Sequence, residues 1–214
     1  MIDTLLVIAK EPVPGRVKTR LVPPLSYDQA ACVARAALAD TLRIASSVPA
    51  RRRVLVLEGA PGRWLPPGWR CTAQGDGGLD RRLAAAFGQV TRGPALLIGM
   101  DTPQLCRHHL AAFDPARYDA CLGPAADGGY WAIGFTDPRH AAAAIPGVPM
   151  STASTGAEQL RRMRAVGLRV QLLDTLDDVD TFETALNVAA HTPHGEFAHA
   201  VRALGLRSVQ EPVA

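Results

Sequence analysis

Leu5-Leu6-Val7-Ile8-Ala9 runs without a polar break into Lys10-Glu11-Pro12-Val13-Pro14-Gly15-Arg16-Val17-Lys18-Thr19-Arg20-Leu21. Five consecutive apolar residues are the mark of a strand covered on both faces, as in a parallel sheet flanked by helices. The Pro/Gly-rich stretch that follows breaks the strand and forms a loop at its carboxyl end. Both lysines of the chain, Lys10 and Lys18, lie here, and the other 21 of its 23 basic residues are Arg. A compact ammonium on a flexible stem meets phosphate as a point charge, where a guanidinium would fork. The loop is therefore the first candidate for binding a phosphorylated ligand.

Strand and helix patterns alternate through the rest of the chain. Ser26 with Gln29 is a capping-box signal for a helix with apolar positions at helical spacing through Leu42. Val54–Leu57 reads as a strand, 59–69 as a Pro/Gly loop, Arg70–Gln74 as a short strand and Leu79–Val90 as a helix. Ala95-Leu96-Leu97-Ile98-Gly99 is a second buried strand. Thr102-Pro103 reads as a cap with proline at the first position of a helix reaching about Phe113. Ala120–Leu122 and Tyr130–Ile133 are strands around a glycine-rich bend. Thr155 with Glu158 opens a helix that Gly167 ends, and Leu168–Leu173 is the last strand. Helices follow over Thr181–His191 and Glu196–Leu204. The order predicts a mostly parallel sheet with helices on both faces, in a single domain over 1–206 with a tail at 207–214. Ligands in such sheets bind outside the carboxyl ends of the strands. The loops 10–21, 100–103, 123–129 and 174–180 are thus expected to converge on one rim.

Composition narrows the function class. A net charge of +3, with basic clusters only at Arg51-Arg52-Arg53 and Arg161-Arg162-Met163-Arg164 and no aromatic interleaving, argues against nucleic acid. No apolar run approaches a membrane span and no signal-peptide pattern opens the chain, so a cytoplasmic enzyme is expected. Cys32, Cys71, Cys106 and Cys121 form no CxxC pair, which argues against a zinc or redox motif. Cys32, Cys106 and Cys121 are expected to pack as small hydrophobes. No GxxxxGK[ST] and no serine nucleophile elbow occur, and the adjacent His108 and His109 face different sides of a helix.

Asp101 stands directly after a buried strand, where a carboxylate has little structural purpose if Thr102 is the cap. It reads as a ligand for a divalent metal, since magnesium takes one or two carboxylates plus substrate phosphates and waters. Asp177-Asp178-Val179-Asp180-Thr181 places three carboxylates in four residues. Asp177 and Asp178 read as a solvated helix-entry turn, with Asp180, just before the capping Thr181, as the second metal ligand. Gly123-Pro124-Ala125-Ala126-Asp127-Gly128-Gly129-Tyr130 is a tight bend whose glycines allow positive φ or close approach to a ligand. Gln74-Gly75-Asp76-Gly77-Gly78 is a glycine-rich loop able to present backbone amides to a base or phosphate.

Lys10-x-Pro12-x-Pro14-Gly15-x-x-Lys18-Thr19-Arg20-Leu21, Gly99-Met100-Asp101-Thr102-Pro103, Gly123-Pro124 to Asp127-Gly128-Gly129-Tyr130, Ser151-Thr152 and Asp178-Val179-Asp180-Thr181 together resemble the DUF2064 family over about residues 3–190. That resemblance implies a GT-A, Rossmann-like, three-layer α/β/α fold and a glycosyltransferase or nucleotide-diphospho-sugar transferase. The same motifs are distantly similar to the nucleotidyltransferases that activate phospholactate or the molybdenum cofactor. Carried over by motif, Lys18, Arg20 and Asp101 would be catalytic, and Asp101 and Asp180 would hold Mg2+ or Mn2+. Lys10, Gly15, Lys18, Thr19, Arg20, Gly75, Asp76 and Arg82 would bind the nucleotide, an NTP or an NDP-sugar. Asp127, Gly128, Gly129, Tyr130, Ser151 and Thr152 would face a small-molecule acceptor. Asp101-Thr102-Pro103 carries one carboxylate in place of the Asp-x-Asp of many GT-A glycosyltransferases, and the basic loop suits a triphosphate, so nucleotidyl transfer from an NTP to a phosphorylated acceptor is the leading expectation. NDP-sugar-dependent glycosyl transfer and a non-catalytic nucleotide-binding protein are the alternatives. No nucleic-acid or membrane partner is expected, and a homodimer is left open.

Overall fold

The apolar run at 5–9 is the core of strand β1 (Thr4–Lys10) in a computed structural model that describes residues 1–205. The expected tail, and residue 206 of the expected domain, lie outside the described residues. The other strands are β2 (Arg52–Glu58), β3 (Arg70–Ala73), β4 (Ala95–Ile98), β5 (Ala120–Pro124), β6 (Tyr130–Phe135) and β7 (Val170–Leu172). They form a seven-stranded sheet in the order β3-β2-β1-β4-β6-β5-β7. Of these strands only β6 runs antiparallel to its neighbours, β4 and β5.

Residues alternate between the two faces of the sheet, so each strand feeds two cores. Leu5, Val7, Leu55 and Leu96 pack with helices α1 (Tyr27–Ser47) and α3 (Arg107–Ala111) through Leu38, Leu42 and Leu110. Leu6, Val56, Leu97 and Ile133 pack on the other face with α2 (Leu79–Gly88), α4 (Ala141–Ala144) and α5 (Thr155–Ala165). Each fully buried Leu or Phe contributes roughly 1.5–3 kcal/mol. This is the expected three-layer, Rossmann-like α/β/α arrangement. A further pair of helices, α6 (Phe182–His191) and α7 (Glu196–Ala203), packs Val188, Phe197 and Val201 on the outer side of α1. Helix α1 is thereby apolar on two opposite sides. The capping box that opens it is formed, with Ser26 Oγ accepting from the Gln29 amide at 3.2 Å and the Ser26 amide donating to Gln29 Oε1 at 2.8 Å.

Three expectations fail, the first being the cap at Thr155: Ser154 holds that position, without a side-chain hydrogen bond, and Thr155 is the first residue of α5. No helix starts at Thr102: 102–106 is irregular, and α3 begins at Arg107 after the cap Cys106. The Thr102 hydroxyl is drawn away from the backbone by a stronger, charged acceptor, Asp178, at 2.9 Å. Of the cysteines expected inside, Cys121 is buried but Cys32 and Cys106 are exposed. Cys32 falls on the solvent stripe of α1, and Cys106 on the turn that replaces the expected helix start.

The chain runs from β1 outward through β2 to β3, then returns to add β4 on the opposite side of β1. That reversal is a topological switch point, where two loops separate and leave a crevice at the carboxyl ends of the strands. The loops that flank it are the ones after β1 and β4, which carry Lys18 and Asp101.

Candidate functional site

Lys18 follows β1 in the left-handed region, φ 49° and ψ 36°. Val17 beside it is buried and anchors the loop in the core. The Lys18 side chain is only 6% exposed. Its Nζ lies 2.5 Å from Asp101 Oδ1 and 3.3 Å from Asp180 Oδ1. It also donates to the Val179 carbonyl. Segments far apart in the chain thus meet on one ammonium. Burial alone would push that ammonium's pKa down; Asp101 and Asp180 overcome this and hold it above the ordinary lysine value. Arg20 reaches the other oxygen of Asp180 at 3.4 Å from the exposed surface.

The loop after β4 is clamped to the segment that follows β7. The Val179 amide donates to the Asp101 carbonyl at 2.9 Å, and Gln104 Nε2 to the Asp177 carbonyl at 2.6 Å. Thr102 Oγ1 donates to Asp178. Asp178 is half-buried, and its carboxyl is pushed up to about 6. Desolvation is the largest cause; the Thr102 hydrogen bond opposes it, and Asp101 and Asp127 add like-charge repulsion. Asp178 is therefore part of the acidic cluster, not a solvated turn residue.

The bend expected to face an acceptor adjoins this cluster. The Ala126 amide donates to the Leu176 carbonyl at 2.9 Å, and Asp127 Oδ1 accepts from the Gly129 amide at 2.8 Å. Gly128 has φ +90°, and a Cβ there would collide with the Ala153 carbonyl, so the turn requires glycine twice over. The Gly156 amide donates to Gly128 O at 2.8 Å, bringing the Ser151-Thr152 loop alongside Asp127 and Gly129. The Tyr130 hydroxyl donates to Gln159 Oε1 at 3.5 Å beside Met150, and burial pushes its pKa up.

On the other side of the crevice, Arg82 Nη1 lies 2.6 Å from Glu58 Oε2 and 3.3 Å from Gln74 Oε1, and its Nε donates to the Gly77 carbonyl at 2.9 Å. Gln74 Nε2 donates to the Ala9 carbonyl at 2.8 Å. Arg82 thus holds the 74–78 loop against the ends of β1 and β2. Lys10 stands 3.8 Å from the same Glu58. Asp76 is exposed and Gly75 half-buried in the 74–78 loop, while Gly15, Thr19 and Arg20 are exposed in the loop that carries Lys18. Glu58 and Gln104 join the site without having been expected there, and Thr102, expected as a helix cap, serves Asp178 instead. Glu58 carries the same signal as Asp101, a charged residue closing a buried strand.

A hard dication suits carboxylate oxygens. Asp101 and Asp180 supply them from side chains 41% and 39% exposed, and Asp178 and Asp127 leave negative charge that one buried ammonium does not balance. Among the described residues no group of three or more His, Cys, Asp or Glu encloses a metal position. Further ligands would have to be substrate oxygens and water. Among the described residues no helix is long and apolar enough to cross a membrane.

The whole fold is shared with a protein of Desulfovibrio desulfuricans G20 described as a candidate nucleotide-diphospho-sugar transferase, at TM-score 0.85 and 26% identity over 96% of each chain. The 2-C-methyl-D-erythritol 4-phosphate cytidylyltransferase of Thermus thermophilus follows at TM-score 0.57 and 16% identity, over 96% of this chain and 100% of that one. Rv0371c of Mycobacterium tuberculosis H37Rv, in complex with manganese, follows at TM-score 0.50 and 18% identity, over 88% and 98%. The last two are likenesses of fold. No match was found among curated proteins. A family profile described as uncharacterized protein conserved in bacteria matches residues 31–152, more than half of the chain and the stretch that carries Asp101, the Asp127–Tyr130 bend and Ser151-Thr152, so the chain belongs to the DUF2064 family.

Proposed function

We propose that this protein is a divalent-metal-dependent transferase that moves a nucleotidyl group from a nucleoside triphosphate to a phosphorylated small-molecule acceptor. The observation that carries this reading is the buried Lys18 ammonium gripped by Asp101 and Asp180 at the switch point of the sheet. Nucleotides bind at such crevices, and a polyphosphate needs concentrated positive charge there. Mg2+ or Mn2+ on Asp101 and Asp180 would neutralise the charge that builds on phosphate oxygens during transfer.

The chain's own residues align and discharge the reactants. In the structure Asp101, Asp180 and the Val179 carbonyl engage Lys18. Asp101 and Asp180 would hold the dication, and Lys18, with Arg20 beside it, would donate to phosphate oxygens. The loop held by Arg82 faces the base, and Asp127, Gly129, Ser151 and Thr152 orient the acceptor. An acceptor phosphate oxygen attacks the α-phosphorus in line, the bond to the bridging oxygen breaks, and pyrophosphate leaves. No covalent nucleophile is required. The cytidylyltransferase fold and the manganese complex of Rv0371c support this chemistry by analogy of fold.

A second reading, glycosyl transfer from an NDP-sugar, is favoured by the Desulfovibrio relative. Turnover of nucleoside triphosphates and NDP-sugars against phosphorylated and plain acceptors, with magnesium or manganese, separates the two. Pyrophosphate release supports the first reading and nucleoside diphosphate release the second. Nucleotide binding without turnover on any acceptor overturns both in favour of a non-catalytic nucleotide-binding protein.

A further inference from the structure

We infer that the opposite end of the sheet carries a second, separate anion site, built for a small ligand with two linked phosphates. A depression of about 460 Å³ opens there, lined by Asp3, Arg51, Arg52, Thr91 and Arg92. That size falls in the range of small-ligand sites. Seven residues of β1, roughly 20 Å at ~3.3 Å per residue, separate it from Lys10, so it is no extension of the crevice.

Two guanidiniums, Arg51 and Arg52, grip one carboxylate, and Arg92 lines the same depression. Arg52 Nη2 lies 2.9 Å from Asp3 Oδ2 and also donates to the Arg92 carbonyl at 3.2 Å, and Arg51 Nε lies 3.5 Å from Asp3 Oδ1. Asp3 thereby orients two Arg forks. Gly93, at φ +78°, lets the Arg92 loop press against Asp3, since a Cβ there would lie 2.8 Å from that of Asp3. Among the described residues the Arg92 guanidinium has no acidic partner. The neighbouring Arg53 is occupied elsewhere, donating to the Ala45 and Val48 carbonyls at the end of α1.

Arginine forks match phosphate oxygens two at a time, and the surplus of two positive charges asks for more than one phosphate. No aromatic or apolar side chain lines the depression, so it reads charge and not a base. Five lining residues are too few for a stable protein interface.

Titration calorimetry of the full chain with inorganic pyrophosphate at low ionic strength tests this. Arg92→Ala and Arg51→Ala are each expected to weaken one binding event about tenfold or more. Lys18→Gln should leave that event in place, and turnover in Arg92→Ala should match the parent chain. If Lys18→Gln does not fold, stoichiometry decides: two equivalents in the parent chain and one in the Arg51→Ala/Arg92→Ala double variant. Pyrophosphate binding that the double variant leaves unchanged overturns the inference. So does equal affinity for orthophosphate and pyrophosphate, or Arg-dependent binding to phosphatidylserine vesicles without pyrophosphate binding.

Discussion

Lys18 and Asp178 are two answers to one problem, the concentration of carboxylates at the crevice. Lys18 is a buried charge with good partners. Removing one member of such a pair leaves the others uncompensated. Lys18→Ala is expected to lower turnover by ~10²–10³, the loss typical of a removed charge-stabilising donor. Steady-state kinetics with nucleotide and magnesium check it, and near-parental turnover would contradict the role given to Lys18. Asp178 has the opposite character. Its carboxyl titrates at about 6 in the folded chain, against ~3.9 when unfolded. The folded state therefore holds this proton more tightly. That contribution to stability is complete below about pH 4 and is lost as pH rises through 6. Asp178→Asn keeps an oxygen for Thr102 and removes the ionisation. It is expected to raise stability by about 1–2 kcal/mol at pH 8, discounted for partial exposure, with the advantage vanishing near pH 4. Denaturant unfolding at the two pH values measures this; an advantage independent of pH would point to packing instead. Nothing in Asp177-Asp178-Val179-Asp180 tells which carboxylate Thr102 engages, because Thr102 lies 76 residues away.

Elements show the same division between local and distant causes. The start of α1 is readable because Ser26 and Gln29 satisfy each other within one turn. The start of α7 is readable as a pattern, yet its cap is not local. Gly195 offers no side chain, and the Glu196 and Phe197 amides donate to Asp40 of α1 at 3.1 and 2.9 Å. Asp40 is 2% exposed. A Cβ at position 195 would run into this carboxylate. Asp40→Ala is expected to cost about 2–3 kcal/mol, since it removes two charge-assisted hydrogen bonds and the cap of a packed helix. A lower urea midpoint at unchanged slope confirms it. Thr102 is the converse case. Residue type and the following proline argue for a helix start, and a distant acceptor displaces the local one.

At the scale of the whole molecule the crevice is built from loops that only the sheet brings together. A nucleotide that bridges them binds the folded state alone. With divalent metal at 100 times its dissociation constant it is expected to add about 2.7 kcal/mol. For a chain of this size that is a rise in Tm of roughly 5–10 °C. A thermal-shift series with nucleotides and NDP-sugars, with and without magnesium, measures it, and no shift with any of them would tell against a nucleotide site. The alternating pattern of apolar runs and capped helices was enough to specify the layered α/β fold, because periodicity and capping are satisfied within a few residues. It also specified which loops would share a rim, since strand direction follows from the order of elements. The pairing of Lys18 with Asp101 and Asp180, the burial of Asp178, the contact of the Tyr130 hydroxyl with Gln159 and the engagement of Arg82 by Glu58 were settled by folding. Each depends on contacts made across tens of residues of chain, where burial and competing partners, not local preference, set the lowest free energy.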